Sequence, residues 1–210
     1  MTPLVIIGGG GHCRSVIDAV SRSDSYYVHG IIDDTCKSGE QRNGFYILGG
    51  ISVVPSLIGY HFFIAIGRNS DRQMVREKLS AYDIKFANIF HPRCTTPASL
   101  SNKPVGCFFG ANSYVGPGCE VGDFSIINTN SCLEHDSSIG AYSHLAPGAT
   151  TAGHVSIGKG TLVGINSSIR SKVSIGDWTT IGMGSVVVKD IRGGSIAFGN
   201  PCKENTYGDS

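Results

Sequence analysis

The feature that most constrains this chain is a six-residue period running unbroken from Phe109 to Val187. Stepping by six from Phe109 meets Val115, Val121, Ile127, Leu133, Ile139, Leu145, Thr151, Ile157, Val163, Ile169, Ile175, Ile181 and Val187. Thirteen of these fourteen residues are apolar, and Thr151 is the exception. The following position is repeatedly glycine, as at Gly110, Gly116, Gly122, Gly140, Gly158, Gly164, Gly176 and Gly182. The fourth residue on is small or β-branched, as at Ser113, Ser131, Ser143, Thr161 and Thr179. A period of six matches neither an α-helix nor an alternating strand. It matches the hexapeptide class of β-helix, in which three hexapeptides close a triangular coil of about eighteen residues. The span predicts about four and a half coils. Aliphatic residues then stack inward, and small residues fill the tight interior beside them. The glycines are expected at corners that need a positive φ.

The first 90 residues follow another rule. Leu4–Ile7 reads as a buried strand, Gly8 to Gly11 as a turn, and His12 to about Arg22 as a helix with Val16, Ile17 and Val20 on one face. Further strands are expected at Tyr27–Ile32, His61–Ile66 and Lys85–Phe90, with a second helix at Asn69–Leu79. Alternating strands and helices imply a small parallel α/β domain of Rossmann-like type. Its glycine loop lies between strand and helix, where backbone N–H groups and a helix N-terminus bind phosphate. Asp33 closes the second strand, the position of a ribose or base contact in such folds. The spacing ends in Cys13 rather than a third glycine, so the motif alone would equally suit a turn without a ligand. The domain plan is therefore residues 1–90 as the α/β domain, 91–108 as a linker leading into the β-helix, 109–190 as the β-helix and 191–210 as a C-terminal segment. Pro92, Pro97 and Pro104 mark the linker.

Composition excludes several classes. The net charge of +1 argues against nucleic acid or an anionic membrane as partner. Glycine is abundant at 29 residues, but 40% of the chain is hydrophobic, which excludes disorder. Seven cysteines without a CxxC pair predict free thiols in a reducing cytoplasm. Leu4–Ile7 is too short an apolar run for a signal peptide, and no segment is long enough to span a bilayer.

Within the repeat, one hexapeptide stands apart: Leu133-Glu134-His135-Asp136-Ser137-Ser138 replaces glycine with Glu134 and adds His135 and Asp136. His144 follows nine residues after His135, and His154 ten after that. A neutral imidazole suits removal of a proton from an amine or hydroxyl, and a neighbouring carboxylate can fix its tautomer. An isolated His-Asp pair on a coil is usually solvated surface; the concentration of such residues here raises the functional reading above that.

The strand–GGGGH–helix start, the Asp33-Asp34 pair, the run Asn128 to Asp136 and the ending Gly199-Asn-Pro-Cys-Lys203 resemble the bacterial sugar acyltransferases. That family includes bacillosamine-type nucleotide-sugar N-acetyltransferases and sialic acid O-acetyltransferases. The resemblance implies a left-handed hand for the coils, against the usual right-handed crossover rule. It also implies a homotrimer with acetyl-CoA in the groove between neighbouring β-helices. His135 is then the general base, Asp136 its acidic partner, and Asn128 and His144 lie near the reacting centre. His144 meets the thioester region, and the Gly153 N–H is a candidate oxyanion donor. Ile165, Gly182 and Lys203 line the CoA groove, Lys203 toward a phosphate. Gly8, Gly9, Gly10, Gly11, His12, Asp33 and Asp34 hold the nucleotide, joined by Gly67 and Arg68. Cys13 and Cys202 depart from the family's more usual Gly or Ala.

The activity so implied is direct transfer of an acetyl group to the amine, expected at C4, of a UDP- or dTDP-linked amino-deoxyhexose, with no metal. One rival is O-acetylation of sialic acid or another sugar hydroxyl. A second is a zinc enzyme of the γ-carbonic-anhydrase type, for which the His spacings of nine and ten lack that family's close pair. A third is a non-catalytic scaffold, against which the Glu134-His135-Asp136 run argues. Cys132, three residues from His135, invites a Cys–His nucleophile reading but is read as a packing residue.

Overall fold

The computed structural model describes residues 1–98, 100 and 102–205, so the last five residues of the expected C-terminal segment lie outside it. The chain divides into two compact units, Met1–Pro92 and Arg93–Ser210.

The first unit has one sheet. Its strands are β1 (Thr2–Ile7), β2 (Tyr26–Ile32), β3 (Gln41–Arg42), β4 (Phe45–Gly49), β5 (His61–Ile64) and β6 (Lys85–Phe86) in the order β3-β4-β2-β1-β5-β6. All pairings are parallel except β3 with β4. β1 is central, and Leu4, Val5 and Ile6 are wholly buried, as a continuous apolar run in a parallel sheet requires. Helix α1 (Gly11–Ser21) buries Cys13, Val16, Ala19 and Val20, and helix α2 (Asn69–Lys78) follows β5. Two features differ from the sequence reading. The expected strand at Lys85–Phe90 is two short strands, β6 and β7 (Ile89–Phe90). The antiparallel hairpin β3–β4 was not expected; it turns on Asn43 and Gly44, both at positive φ.

The second unit is a parallel β-helix with three faces. The first face stacks Phe108–Phe109, Ile126–Ile127, His144–Leu145, Leu162–Val163, Thr180–Ile181 and Ile196–Phe198. The second stacks Tyr114–Val115, Cys132–Leu133, Thr150–Thr151, Ser168–Ile169 and Val186–Val187. The third stacks Glu120–Val121, Ser138–Ile139, Ser156–Ile157 and Ser174–Ile175. Every hexapeptide apolar position is buried, and each such side chain contributes about 1.5–3 kcal/mol. The serines and threonines four residues on are buried too, and their hydroxyls bond backbone carbonyls, as Ser143 does to Gly158 O at 2.7 Å. Thr95 and Asn102 lie along the first coils: the Thr95 N–H bonds Ser113 O, and the Asn102 side chain brackets Val121. At the other end Lys203–Glu204 pairs antiparallel with Ile196–Phe198, and Cys202 packs into the core.

The expectation about the glycines is corrected. The left-handed residues are not those that follow the aliphatic position but those two further on, among them Asn112, Asp136, Tyr142, His154, Asn166 and Lys172. The glycine itself is required by coil-to-coil contact. A Cβ on Gly116 would come within 2.6 Å of the His135 N in the next coil, where no backbone atom can yield.

Candidate active site

The break in the glycine pattern begins with Glu134. Its N–H leaves the regular ladder and bonds the Thr151 hydroxyl at 3.0 Å instead of a carbonyl. Thr151, the one polar residue among the hexapeptide aliphatic positions, is buried and supplies that acceptor. The two irregularities of the repeat are thus one interaction. A Glu134 carboxylate oxygen then accepts the His135 N–H at 3.1 Å, fixing the start of the corner.

The next two residues project from this corner. His135 Nδ1 and Asp136 Oδ2 are 2.8 Å apart, and both side chains are about half exposed, 50% and 52%. With Asp136 ionised, Nδ1 carries the proton and donates it, leaving Nε2 as the acceptor. The hydrogen bond from His135 is the main cause that holds the Asp136 carboxyl below the usual range, and His154 adds to it. His154 lies on the next coil, its Nε2 3.8 Å from the same Asp136 oxygen and its ring edge-on to His135 at 5.3 Å between centroids. Gly153 lies against the imidazole. A Cβ there would sit 2.5 Å from His135 Cε1 and 2.6 Å from Nε2. Among the described residues no hydrogen bond engages the Gly153 N–H.

His135, Asp136 and His154 offer ligand atoms that all lie within 4.8 Å of one another, so two imidazoles and a carboxylate could hold a metal ion. The three-histidine set of a zinc enzyme is not gathered in this chain, because His144 lies elsewhere. It projects from the first face, and its Nε2 is 3.0 Å from Asn128 Nδ2. Asn128, Ile165 and Gly182 follow first-face strands and share the edge beside it. His135, Asp136 and Gly153 follow second-face strands and share a different edge. One chain therefore presents the expected reacting residues as two separate groups. Ile165 and Met183 are exposed apolar side chains on the first of these edges, and a Cβ on Gly182 would collide with Phe198. Lys203 lies on the strand that closes the first face.

The Cys–His nucleophile reading finds no support at Cys132. Burial, and then the Glu134 carboxylate, push its thiol up to about 11, so it is protonated at neutral pH.

In the first unit, a cleft of about 380 Å³ opens at the C-terminal ends of β1 and β2. Gly8, Gly9, Gly10, Gly11, His12, Asp33, Asp34 and Gly67, the residues expected to hold a nucleotide, all line it. Arg68 is not among the lining residues; it precedes α2. Thr35, Arg42 and Ile51 also line the cleft and were not among the residues expected there. α1 begins at the cleft with no side-chain cap and no acidic residue in its first turn, so its N-terminus is open to an anion. Asp33 organises the loop: Oδ2 accepts the Gly9 N–H at 2.8 Å, and Oδ1 accepts the Thr35 N–H and hydroxyl at 2.9 and 2.6 Å. Burial alone would push the Asp33 carboxyl up, but these hydrogen bonds and Arg42 outweigh it and hold it below the usual range. Asp34 accepts the Ile51 N–H at 2.8 Å. Arg72, fully buried, donates to Ile66 O and Gly67 O at 2.8 and 3.0 Å and so holds the wall after β5.

Comparison with known proteins agrees with both units. The PglD N-terminal domain family matches residues 3–79, the bacterial transferase hexapeptide family residues 154–189, and the hexapeptide repeat of succinyl-transferase residues 106–134. A mutant of GDP-perosamine N-acetyltransferase from Caulobacter crescentus, solved with CoA and GDP-perosamine, superposes with a TM-score of 0.91 at 31% identity over 100% of this chain and 98% of that one. The acetyltransferase domain of PglB from Neisseria gonorrhoeae superposes at 0.88 with 27% identity, covering 98% of this chain and 100% of that one. GDP-perosamine N-acetyltransferase of Escherichia coli O157:H7 is 27% identical over 170 residues, 78% of this chain and 76% of that protein.

Proposed function

The chain belongs to the hexapeptide-repeat sugar acyltransferases that include the perosamine N-acetyltransferases and the PglB acetyltransferase domain, and we propose that it moves the acetyl group of acetyl-CoA onto the amine of a nucleotide-linked amino sugar. The observation that carries the reading is the His135–Asp136 pair at the one corner where the repeat is broken, with Gly153 against the imidazole. The amine, expected at C4 of the sugar, approaches Nε2 of His135. That nitrogen takes the amine proton as the N–C bond forms, and Asp136 steadies the resulting imidazolium. The unengaged Gly153 N–H faces the oxygen that gains charge; as that charge returns to the carbonyl the C–S bond of the thioester breaks, and CoA leaves as a thiolate that the His135 imidazolium can reprotonate.

Acetyl-CoA fits the exposed apolar edge of Ile165 and Met183, which offers cover to a pantetheine arm. The cleft of the first unit takes the nucleotide, its diphosphate toward the open N-terminus of α1 and its ribose or base toward the Asp33 and Arg42 side. The reading includes a homotrimer, because Asn128 and His144 lie on a different edge from His135 and a neighbour's edge would bring the two groups face to face. We place the enzyme in the cytoplasm, in keeping with its seven free thiols. Among the described residues no helix is long and apolar enough to cross a membrane.

The test is acetyl transfer with acetyl-CoA and a panel of UDP-, dTDP- and GDP-linked amino sugars, with sialic acid as the hydroxyl acceptor. One nucleotide amino sugar is expected to react, and His135→Ala to lose about 10²–10⁴-fold in rate. Activity of that variant within about tenfold of the unmodified enzyme would remove His135 from the role of base.

A further inference from the structure

We infer that His135, Asp136 and His154 form an inhibitory metal site: a divalent cation of the zinc class, held by these three side chains, switches acetyl transfer off. The binding stands on the geometry of the three residues, whereas the inhibition rests on the reading of His135 as the base.

His154 is the member of this group that the transfer itself leaves without a task. It stands one coil beyond Asp136, its N–H bonded to His135 O at 3.0 Å. Its Nε2 lies 3.8 Å from Asp136 Oδ2, the oxygen that also faces His135 Nδ1 at 2.8 Å. The two imidazoles meet edge-on, with 85° between their planes. Three ligand atoms thus converge, all within 4.8 Å of one another. Two glycines clear the space for them. A Cβ on Gly118 would lie 2.5 Å from Asp136 Oδ1, and one on Gly153 would lie against the His135 ring. Glu134 stays apart, because its carboxylate is turned to the His135 N–H.

The distances suit a small cation. Zinc binds imidazole nitrogen at about 2.0–2.1 Å and carboxylate oxygen at about 2.0–2.2 Å, so tetrahedral ligand atoms stand roughly 3.3 Å apart. The 2.8 Å pair then opens by about 0.5 Å, and the 3.8 Å pair closes by about as much. Side chains that are each about half exposed make such shifts without disturbing the core. The exposed side leaves the fourth position to water. Two imidazoles with one carboxylate suit zinc and its first-row neighbours, whereas magnesium and calcium prefer oxygen ligands throughout.

Coordination reverses the tautomer on which the base depends. In the metal-free pair Nδ1 carries the proton toward Asp136, and Nε2 keeps the lone pair that takes the amine proton. A cation on Nδ1 displaces that proton to solvent, and the neutral ring takes one up at Nε2. The ring's proton count is unchanged, but its free lone pair has gone to the metal. His135 then meets the amine as a donor, and Asp136 is occupied by the cation instead of steadying an imidazolium. Bound zinc therefore lowers kcat without excluding either substrate.

The first measurement uses the metal-free full chain without substrates. Zinc is titrated by calorimetry and cobalt(II) by visible absorption, in the unmodified chain, His154→Asn and His154→Gln, with thermal melting to confirm folding. Asparagine suits this left-handed corner, as Asn112, Asn130 and Asn166 show at theirs. One zinc per chain is expected at this site, with the cobalt spectrum of a nitrogen- and oxygen-ligated ion. The folded variants are expected to bind about 10–100-fold more weakly, at least the cost of disturbing a group that supports a metal ligand. The seven free cysteines are rival ligands. Zinc affinity unchanged within about twofold in the variants, with a cobalt–thiolate charge-transfer band, overturns the site. The second measurement follows the acetylated sugar, since CoA thiol itself binds zinc. Zinc is expected to lower kcat and EDTA to restore it, with magnesium inert and His154→Asn needing proportionately more zinc. Zinc bound at the site of an active enzyme with no effect on its rate overturns the inhibition. No acetyl transfer by the unmodified enzyme in EDTA overturns the acetyltransferase reading and the inhibition with it, while the titration still decides the binding.

Discussion

Gly153→Ala isolates the placement of the His135 ring from every other property of the site. The backbone of Gly153 is not in the left-handed region, so alanine brings no backbone strain there and its only conflict is with the His135 ring. The N–H of residue 153 is kept, so a donor to the oxyanion is not removed. The new methyl would stand 2.5 Å from His135 Cε1 and 2.6 Å from Nε2, where ordinary contact begins at 3.4 Å. The imidazole must therefore move by about 1 Å, and its bond to Asp136 opens. Because the ring is half exposed, it swings toward solvent and the core is untouched. A displacement of that size at a reacting group costs on the order of 10²-fold in rate, or about 2.7 kcal/mol of transition-state stabilisation. Steady-state thiol release with acetyl-CoA and the acceptor gives kcat/KM, and thermal melting in parallel should change little, since glycine-to-alanine replacement at a compatible site is worth only about 0.4–1 kcal/mol. A folded Gly153→Ala enzyme within about threefold of the unmodified kcat/KM would show that His135 does not act from the position seen here.

Asp136→Asn keeps the shape of the partner but removes the charge that steadies the imidazolium; a loss of about tenfold to hundredfold in kcat is expected in steady-state assays, less than for a buried pair because solvent screens this one. Cys132→Ser is expected to keep activity within about twofold, because the Cys132 thiol is pushed up to about 11 and is not ionised at neutral pH; iodoacetamide at pH 7 should accordingly leave Cys132 unmodified by mass spectrometry. Asp33 has its carboxyl held below the usual range, so its contribution to folding is complete at neutral pH and is lost as pH falls through the ordinary value and then the folded one. Asp33→Asn should therefore cost more stability in urea at pH 7 than at pH 3, and an equal cost at both would reject the hydrogen-bonded carboxylate as its source.

The repeat made the fold of the second unit legible because its period is a direct image of the coil. The same period also contained the site, more fully than linear spacing suggested. His154 stands eighteen residues after Asp136 and Gly153 eighteen after His135, so each lies against its counterpart on the next coil. Counting nine and ten residues between histidines hid this, since the unit of contact is the coil and not the chain. The glycines were placed correctly in sequence and misjudged in cause, because contact between coils leaves no trace in a single hexapeptide. In the first unit the glycine loop and Asp33 were legible from their place after strands. The Asn43-Gly44 turn was also available as a hairpin signal, and with it Arg42 on the cleft. Arg72 was not legible: on the polar helix α2 it reads as a solvated charge, and only the fold aims it at two carbonyl groups.

The division of the reacting residues between two edges yields the sharpest test of the homotrimer. If the second edge of one subunit meets the first edge of the next, each site needs His135 from one chain and Asn128 with His144 from another. Two inactive proteins then complement each other. His135→Ala lacks the base, and an Asn128→Ala, His144→Ala double variant lacks the opposing group. A site that pairs the intact edge of each is complete. Random mixing of equal amounts into trimers leaves about a quarter of all interfaces complete, so mixed assemblies refolded or co-expressed together should recover about a quarter of the unmodified activity while each protein alone stays low. Recovery cannot occur if each site is built within one chain, because every chain in the mixture then carries a damaged one. Mixed trimers, verified by mass, with no activity above that of the two proteins alone would therefore refute the shared site.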